Sequence, residues 1–289
     1  MQKTITIYPK RLFLFAGYNK NGIIDDALIY YIRALKKFGD IILCMDSDTP
    51  NSELEKARKY CIHTIGNRHG EYDFGSYKRA YIWATENLRL SNYDFMYMVN
   101  DSVYGPLCDM TSYFARMESL PCDAFGMAQK RHKTRAHIQS WFIGLRASVF
   151  RTEWFDDFMQ SITKLVSKTQ ITIEYEHGLS HMITNNGLKW CGLYSVFNRD
   201  IYNGVEKVFR AGIPFIKKDA FIRHNGTLGG QILRVLNHSH PYARNAILHS
   251  ARAQYGNEYI NWLLTQNPFK IIFRGIKHIT QKLFKRGHK

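Results

Sequence analysis

Short apolar runs alternate with amphipathic helical segments along the first hundred residues of the chain. Residues 11–17 form an apolar run that ends in a glycine, and residues 40–45 form a second run. Between them, Leu28, Ile32 and Leu35 recur at the spacing of one helical face. A strand, a helix and a second strand in this order are the unit of a parallel sheet with right-handed crossovers. The pattern therefore predicts an α/β fold.

The apolar run of residues 95–99 is predicted to be a central strand that is buried on both faces. It ends abruptly at Asn100, Asp101 and Ser102. Ligands of open α/β sheets gather beyond the carboxyl ends of the strands, so we expect a site here. A carboxylate flanked by amide and hydroxyl oxygens suits Mg²⁺ or Mn²⁺ carrying a phosphate. The alternative is that Asp101 and Ser102 only cap a turn or a following helix.

A glycine-rich polar loop at residues 66–78 is expected to lead into a helix at residues 79–88. Small residues before a helix start allow an anion to approach the backbone, and the helix dipole favours one. The alternative is an ordinary helix entry capped by Asp73 or Ser76. The other predicted elements are helices at 53–60, 111–118, 148–166 and within 227–267, strands at 61–65, 124–128 and 137–146, and a segment at 172–183 that becomes helical.

Length and composition indicate a folded globular protein. The 289 residues are 45% hydrophobic and 14% aromatic, which suffices for one large α/β domain with an extension. The first residues lack the apolar stretch of a secretory signal, and no apolar run is long enough to span a bilayer. The five cysteines show no CxxC pair, which favours unpaired thiols in a reducing compartment over a zinc cluster. These features predict a cytoplasmic protein.

The charge of the chain is strongly basic, with a formal net charge of +16 and a pI near 9.6. Such a surplus indicates nucleic acid, an anionic membrane face or anionic small ligands as partners. Residues 269–289 hold seven Lys and Arg and no acidic residue. At helical spacing their apolar residues share one face, as in a helix that lies in an anionic membrane interface. The alternative is a helix docked on the protein itself. The apolar face comprises Phe269, Ile272, Phe273, Ile276, Ile279 and Leu283.

Four motifs, in this order and at these spacings, resemble those of the rhamnan synthesis protein F family. They are the YDFGSYK stretch of residues 72–78, the NDSVYGP stretch of residues 100–106, a Gln-Ser-Trp-Phe block that begins at Gln139, and Tyr175-Glu176 with the segment that follows. The resemblance covers residues 11–225. It implies a GT-A-like glycosyltransferase domain with a mostly parallel nucleotide-binding sheet flanked by helices. The helical pattern beyond residue 226, which the resemblance does not reach, predicts a helical C-terminal extension.

The chain would thus comprise a glycosyltransferase domain at residues 1–226, helices packed on it at residues 227–267, and the basic tail at residues 268–289. The resemblance also implies an activity. The enzyme would move a sugar, rhamnose, with inversion from a nucleoside-diphosphate sugar to a growing cell-surface polysaccharide on a lipid carrier. The implied donor is dTDP-rhamnose. A lipid-linked acceptor would be presented at the inner face of the cell membrane, which favours the interpretation of the basic tail as a membrane-binding helix. Asp101 stands where related enzymes carry Asp-X-Asp, and its single carboxylate leaves Mg²⁺ or Mn²⁺ dependence open.

Sugar transfer of this kind needs a held pyrophosphate, a neutralised leaving group and a deprotonated acceptor hydroxyl. Asp101 is the predicted catalytic and metal-binding carboxylate. Glu176 is the predicted base and Glu174 its substitute, although either could simply be a favourable charge at a helix start. The predicted donor and phosphate contacts are Asp73, Lys78, Asn100, Ser102 and Lys217, and the predicted acceptor contacts are Gln139 and Trp141.

Two other classes of function compete with this interpretation. The charge and the aromatic residues would permit nucleic-acid binding, but no RRM, KH, zinc-finger or helix-turn-helix signature occurs and most aromatic residues lie inside apolar runs. We therefore expect no nucleic-acid partner. The alternative function is that of a non-catalytic basic protein that binds glycans or nucleic acid. For each basic candidate taken singly, a solvated surface charge is the simpler interpretation, and for the aromatic candidates it is core packing.

Overall fold

The computed structural model describes residues 9–132, 135–197, 199–223, 226–273 and 276. Contacts divide the chain into two compact units, each taken here as far as it is described. The first comprises Met1–Ile24, Ile32–Asp101 and Thr111–Leu193, and the second comprises Asp25–Tyr31, Ser102–Met110 and Tyr194–Lys289. The division of functions after residue 226 stays a prediction, because compactness does not test it.

Ten strands are present in the described chain. They are β1 (Arg11–Gly17), β2 (Asp40–Met45), β3 (His63–Ile65), β4 (Phe95–Asn100), β5 (Val103–Tyr104), β6 (Ala124–Lys130), β7 (His137–Ile138), β8 (Phe142–Arg146), β9 (Trp190–Val196) and β10 (Ile216–Lys217). Strands β5 and β10 pair with each other in a small antiparallel sheet, and the other eight form the main sheet.

The α-helices alternate with strands in the first part of the chain, and the last three follow one another without a strand between them. They are α1 (Asp26–Lys36), α2 (Asn51–Arg58), α3 (Tyr72–Asn87), α4 (Thr111–Glu118), α5 (Ala147–Phe150), α6 (Glu153–Ser161), α7 (Lys168–Ile171), α8 (Gly178–Asn185), α9 (Asp200–Asn203), α10 (Val205–Arg210), α11 (Leu228–Asn237), α12 (Pro241–Tyr255) and α13 (Asn257–Leu264). A π-helical turn, Thr172–His177, joins α7 to α8, and short 3-10 helices occur at Leu90–Asn92 and Lys218–Ile222.

The order of the main sheet is β3-β2-β1-β4-β8-β6-β7, and β9 pairs with β6. Strands β1, β2, β3 and β4 run parallel to one another. Strand β8 runs antiparallel to both β4 and β6, so β6 has the same direction as the parallel strands. Five strands thus share one direction. The predicted α/β fold with a mostly parallel sheet flanked by helices is confirmed.

Both faces of the central strands are covered, as the apolar runs predicted. All seven residues of β1 and all six of β4 are buried. On one face, Leu14 belongs to the same core cluster as Tyr77 of α3. On the other face, the rings of Phe13 and Tyr97 lie 5.8 Å and 5.2 Å from the ring of Phe114 on α4. Full burial of a large apolar side chain contributes about 1.5–3 kcal/mol to stability, so the two layers fix the strands firmly.

The second unit has its own core, which the helices of the C-terminal region build. Residues of α11, α12 and α13 pack with Tyr104 of β5 and Phe221 of the 3-10 helix. The rings of Tyr104 and Phe221 meet edge to face at 5.2 Å. The predicted helical character of residues 227–267 is therefore confirmed. No helix among the described residues is long and apolar enough to cross a membrane.

The predicted start of the third helix at residue 79 is wrong, because α3 already begins at Tyr72. The backbone N–H groups of His69, Gly70 and Tyr72 donate to the carboxylate of Asp46, at 2.8, 2.7 and 3.2 Å. This carboxylate comes from the end of β2 and orders the turn that precedes the helix. The alternative, a helix entry capped by Asp73 or Ser76, is wrong, since both residues lie inside the helix and Glu71 is at the N-cap position.

Two other predicted elements are shorter than expected. The helix predicted at residues 148–166 consists of α5 and α6, and the chain between them is interrupted at Thr152, whose backbone is extended and whose hydroxyl donates to the Val149 carbonyl at 2.7 Å. The strand predicted at residues 137–146 is split into β7 and β8. Ser140 lies in the gap, where its N–H and C=O bond to side chains rather than to a neighbouring strand.

Three features were not predicted or were predicted wrongly. Strand β9 was not predicted at all. The segment that carries Glu174 and Glu176 is helical from Lys168 onwards, not extended at its start. Cys122 and Cys191, expected to be unpaired, form a disulfide with their Cα atoms 6.4 Å apart. They are 69 residues apart in sequence, so only the pairing of β9 with β6 brings them together.

Candidate functional site

The carboxyl ends of the parallel strands lie at one edge of the main sheet. In the register of the sheet, Gly17 of β1 faces Met45 of β2, and Ala16 faces Asn100 of β4. Asp46 and Asp101 follow directly after β2 and β4. This is the edge at which open α/β sheets bind their ligands.

Asn100 is the centre of a polar network at this edge. Its side chain is buried, with 1% of the residue exposed. Its amide nitrogen donates to Asp73 Oδ2 at 2.8 Å and to Tyr77 Oη at 3.1 Å, which uses both amide hydrogens. Its backbone N–H donates to the Trp141 carbonyl at 3.2 Å. A buried amide with these partners is held in one orientation.

The network continues through Ser140 to the predicted base. The hydroxyl of Tyr77 donates to the carbonyl oxygen of Ser140 at 3.0 Å. The N–H of Ser140 then donates to Glu176 Oε1 at 2.8 Å. A continuous series of hydrogen bonds thus joins Asp73 and Asn100, predicted to bind the donor, to Glu176.

Glu176 occupies a position that suits a base. It lies in the π-helical turn, a rare geometry that often occurs at functional sites. Oε1 is held by Ser140, whereas Oε2 has no hydrogen-bond partner among the described residues. The side chain is 16% exposed, so a solute can reach it. Glu174, in contrast, is exposed and takes no part in this network.

Two histidines lie beside Glu176. Nε2 of His137 is 4.0 Å from Glu176 Oε1, and the His137 side chain is only 5% exposed. The ring of His177 lies 4.1 Å from that of His137, centroid to centroid. Burial lowers the pKa of His177, and so does the neighbouring His137, while the charge of Glu176 opposes them. These histidines were missed by the sequence reasoning, because nothing in the local pattern singles them out.

The backbone N–H groups of the glycine-rich loop are already bound to a carboxylate of the protein itself. The carboxylate of Asp46 accepts the three backbone N–H groups described above, so these donors are occupied within the protein. His69 completes the loop, with Nδ1 accepting the N–H of Glu71 at 3.1 Å and Nε2 lying 3.0 Å from Ser76 Oγ. Burial lowers the pKa of His69, which keeps the ring neutral near neutral pH.

Asp101 lies at the tip of β4 and is partly exposed, and its N–H donates to the Ala16 carbonyl at 3.1 Å. Among the described residues, no group of three or more His, Cys, Asp or Glu side chains could hold a metal ion. Mg²⁺ commonly uses one or two carboxylates and completes its shell with phosphate and water. A single carboxylate such as Asp101 could therefore bind only a cation whose other ligands are phosphate and water, and its role as a metal ligand stays a prediction.

The second unit contains another pair of predicted donor contacts. Lys217 is the last residue of β10 and lies opposite Val103 of β5. Its ammonium group donates to the hydroxyl of Ser102 at 2.9 Å. The structure thus brings Ser102 and Lys217 together within this unit.

Three other predicted contacts have structural partners. Lys78 donates to the carbonyls of Gln160 and Ile162, at 2.7 and 2.9 Å, and so ties α3 to the end of α6. The indole N–H of Trp141 donates to Gln139 Oε1 at 2.8 Å, and only 2% of Trp141 is exposed. Gln139 is partly exposed and remains open to an acceptor. The roles assigned to Lys78 and Trp141 stay predictions, and these contacts give them no support.

Solved glycosyltransferase structures show distant similarity to the chain. Core-mannan synthase A from Aspergillus fumigatus, in its Mn/GDP form, is 12% identical over 55% of this chain and 65% of its own, with a TM-score of 0.31. The GlyE glycosyltransferase of Streptococcus pneumoniae is 15% identical over 71% of this chain and 49% of its own, with a TM-score of 0.35. TarS from S. aureus is 9% identical over 88% and 90%, with a TM-score of 0.33. The chain thus spans less than two thirds of the length of core-mannan synthase A and of GlyE. No residue role is transferred from any of these three structures.

A search among curated protein sequences gave no match. The sequence model of rhamnan synthesis protein F, in contrast, matches residues 41–283. This range includes Asp46, the network around Asn100, Glu176 and the C-terminal helices that the four motifs did not reach. Because the match covers far more than half of the sequence, the chain belongs to the rhamnan synthesis protein F family.

Proposed function

We propose that this protein is a GT-A-like glycosyltransferase that moves a sugar from a nucleoside-diphosphate donor to a growing bacterial cell-surface polysaccharide. Membership of the rhamnan synthesis protein F family supports glycosyltransferase activity. The observation that carries the proposal is the series of hydrogen bonds from Asp73 through Asn100, Tyr77 and Ser140 to Glu176. It links the ligand-binding edge of the sheet to a carboxylate with an open oxygen.

The proposed reaction uses Glu176 as a general base. The acceptor hydroxyl loses its proton to Glu176 Oε2 while its oxygen bonds to the anomeric carbon of the donor sugar. The bond between that carbon and the diphosphate oxygen breaks, and the nucleoside diphosphate leaves with the bonding electrons. Attack opposite to the leaving group inverts the anomeric carbon. General base catalysis of this kind contributes about 100- to 10,000-fold to a rate.

The leaving diphosphate needs positive charge or hydrogen-bond donors as its bond breaks. A divalent cation, Mg²⁺ or Mn²⁺, would supply this charge when it is bound with the donor. Asp101 would hold the cation, and Asn100 and Asp73 would orient the donor beside it. Lys217 and Ser102 are proposed as further contacts to the diphosphate. Gln139 is proposed to contact the acceptor.

The proposal that the donor is dTDP-rhamnose comes from the family resemblance, and no residue described here specifies this sugar or this nucleotide. The decisive experiment is a thermal-shift screen of nucleotide sugars with and without Mn²⁺, followed by a transfer assay with the donor that binds. We expect one nucleoside-diphosphate sugar to raise the melting temperature and to be consumed. NMR of the product should show an inverted anomeric centre. A protein that binds glycans but consumes no nucleotide sugar would instead be the non-catalytic alternative.

We also propose that the C-terminal tail binds an anionic membrane surface, where a lipid-linked acceptor would be found. The described tail side chains Phe269, Ile272, Phe273 and Ile276 are 81%, 61%, 63% and 56% exposed. Residues 269–289 carry seven basic residues and no acidic one, which fits anionic headgroups. Ile279 and Leu283, predicted to continue the apolar face, lie outside the described residues. A peripheral place at the inner face of the cell membrane follows from this proposal.

Liposome sedimentation tests the tail. We expect the full chain to sediment with anionic vesicles at low salt and to be released as salt rises, because the Debye length shrinks. Phe269→Ser combined with Phe273→Ser should weaken sedimentation while transfer to a soluble acceptor is unchanged. Equal sedimentation of both proteins, or equal sedimentation with neutral vesicles, would count against an anionic membrane partner.

A further inference from the structure

Lys164 is an exposed lysine between α6 and α7 that lies against the glycine-rich loop. The loop makes a tight turn at Gly70, whose φ of 71° is in the left-handed region that glycine favours. The position that a Cβ atom would take at Gly70 lies 3.5 Å from Cε and 3.6 Å from Nζ of Lys164. The ammonium group of Lys164 is therefore placed at this turn.

The turn belongs to the ligand-binding edge of the main sheet. The N–H of Gly70 donates to Asp46, which follows β2, at 2.7 Å. Three residues after Gly70, Asp73 accepts the side-chain amide of Asn100 at the end of β4. The loop thus extends from the end of one parallel strand to the end of another, and Lys164 lies beside the network to which the donor is proposed to bind.

The charge of Lys164 is available to a ligand. Its ammonium group has no hydrogen bond and no ion pair among the residues that the structure describes. Two other cations near this loop are already engaged, because Lys78 donates to two backbone carbonyls and Arg79 pairs with Glu71 at 2.7 Å. A lysine ammonium is a compact charge that suits a phosphate group.

The backbone just before Lys164 is held by two residues of the family motifs. Lys78 donates to the carbonyl oxygen of Ile162 at 2.9 Å, and the side chain of Ile162 is fully buried. The hydroxyl of Tyr175 donates to the carbonyl oxygen of Thr163 at 3.0 Å and accepts the N–H of Thr163 at 2.9 Å. A charged group on an anchored backbone loses less freedom when it binds an anion, so its affinity is higher.

We propose that Lys164 binds the diphosphate of the nucleotide-sugar donor, and that Lys78 and Tyr175 position Lys164. The inference rests on the proposed function, which supplies a nucleoside diphosphate as the ligand. Lys164 would hold the diphosphate and offset the negative charge that grows on it as the sugar leaves. Lys78, predicted from the sequence to contact the donor itself, would then act indirectly through Lys164.

Calorimetric titration of the full chain with dTDP, UDP and GDP, in the presence of Mn²⁺, tests the site without any sugar transfer. We expect the native protein to bind one of these nucleoside diphosphates more tightly than the matching nucleoside. Lys164→Met should weaken binding of that diphosphate by about tenfold or more, the scale of one hydrogen bond to a charged group, and should hardly change binding of the nucleoside. Lys164→Arg keeps the charge and should retain most of the affinity.

Lys37→Met is the matched control for a general loss of positive charge. Lys37 is an exposed lysine between α1 and β2, at the opposite end of the parallel strands. This variant should bind the diphosphate as the native protein does. Equal affinity of the native and Lys164→Met proteins, or an equal loss in Lys37→Met, would overturn the assignment of Lys164.

A double variant tests whether Lys78 acts through Lys164. Lys78→Met alone should weaken diphosphate binding, because the backbone before Lys164 is less firmly held. Combined with Lys164→Met, it should cause no further loss, since residues that act through one contact are not additive. Additive losses would show that Lys78 has an independent effect and would refute its positioning role. Tyr175→Phe repeats the comparison if Lys78→Met does not fold.

Failure of this inference and failure of the proposed function give different results. If a nucleoside diphosphate binds through Lys164 but no sugar is transferred from any donor, the proposed function is wrong and the site stands. If sugar is transferred and Lys164→Met binds the diphosphate as the native protein does, the function stands and the site is wrong. A native protein that binds none of the three nucleoside diphosphates would overturn the site.

Discussion

The two ends of the parallel strands carry polar clusters of opposite character. Near the amino end, Glu118 accepts two hydrogen bonds from Arg11, at 2.6 and 2.7 Å, and one from the Tyr97 hydroxyl at 2.7 Å. Both charged side chains are 9% exposed, and the guanidinium also lies over the Phe114 ring at 5.1 Å. At the carboxyl end, Glu176 has one held oxygen and one without a described partner. The first cluster is saturated, because both carboxylate oxygens of Glu118 have hydrogen-bond partners. The second is open, because one oxygen of Glu176 has none among the described residues.

The saturated cluster can only contribute to structure. Burial alone would lower the pKa of Arg11, but the hydrogen bonds and charge of Glu118 outweigh it and the net pKa is raised. Burial, followed by the charge of Glu118, raises the pKa of Tyr97 well above its ordinary value. Arg11 therefore stays charged and Tyr97 stays neutral. A general base needs an oxygen that can accept a proton from the substrate, and both oxygens of Glu118 are already occupied by hydrogen bonds.

The largest expected effect is on stability at the amino end. Glu118→Gln removes the charge that pairs with buried Arg11 and should lower the free energy of unfolding by about 3–5 kcal/mol. Urea denaturation measures this loss. Glu55→Gln, which breaks the exposed pair with Arg58, is the control and should change stability by no more than about 0.5 kcal/mol. A similarly small effect at Glu118 would contradict a saturated, structural cluster.

The next largest effect is expected at the carboxyl end of β4. Asp101→Asn should lower transfer by about 100- to 1,000-fold, the scale of losing one electrostatic contact to the transition state. The melting temperature should hardly change, because Asp101 is partly exposed. Asp94 precedes the same strand at its other end and makes a suitable control. Full turnover by folded Asp101→Asn, or an equal loss in Asp94→Asn, would remove Asp101 from the mechanism.

Replacement of the base tests the open oxygen directly. Glu176→Gln should still accept the N–H of Ser140 and bind the donor normally, yet transfer should fall about 100-fold or more. Calorimetry of donor binding and a transfer assay measure the two quantities separately. Glu174→Gln should be nearly as active as the native protein. If Glu174→Gln is inactive and Glu176→Gln active, the wrong carboxylate was chosen, and if both are active, neither is the base.

The smallest effect is expected for the hydroxyl that connects the network. Tyr77→Phe deprives the Ser140 carbonyl and the Asn100 amide of a partner and should cost about 1–3 kcal/mol of stability. Transfer should also fall, by less than in Glu176→Gln, because the base would be less firmly positioned. Tyr93→Phe is the matched control, since its hydroxyl donates to Asp40 at 3.0 Å near the amino ends of the strands. It should lose stability without losing activity. Equal losses of activity in Tyr77→Phe and Tyr93→Phe would contradict the difference in function between the two ends of the parallel strands.

Much of the fold could be predicted from hydrophobic patterning. The runs that became β1, β2 and β4 are apolar at every position because helices cover both faces, and such runs are easily recognised. The helix start at Tyr72 could not be predicted in this way. It depends on the carboxylate of Asp46, which lies 26 residues earlier and whose contact with the loop before α3 has no local signal in the sequence.

For the site, the sequence by itself determined the kinds of groups available and where strands end. It placed Asn100 and Asp101 beyond a buried strand and named Glu176 as the base, with Glu174 as its substitute. Only the tertiary structure shows how the surroundings of the two carboxylates differ, because the π-helical turn and the gap between β7 and β8 put the Ser140 N–H against Glu176, 36 residues away. The same packing brought Asp73 to Asn100 and His137 to Glu176. Hydrogen bonds act over a few ångströms in space, and hydrophobic periodicity carries no information about which distant residues will be that close.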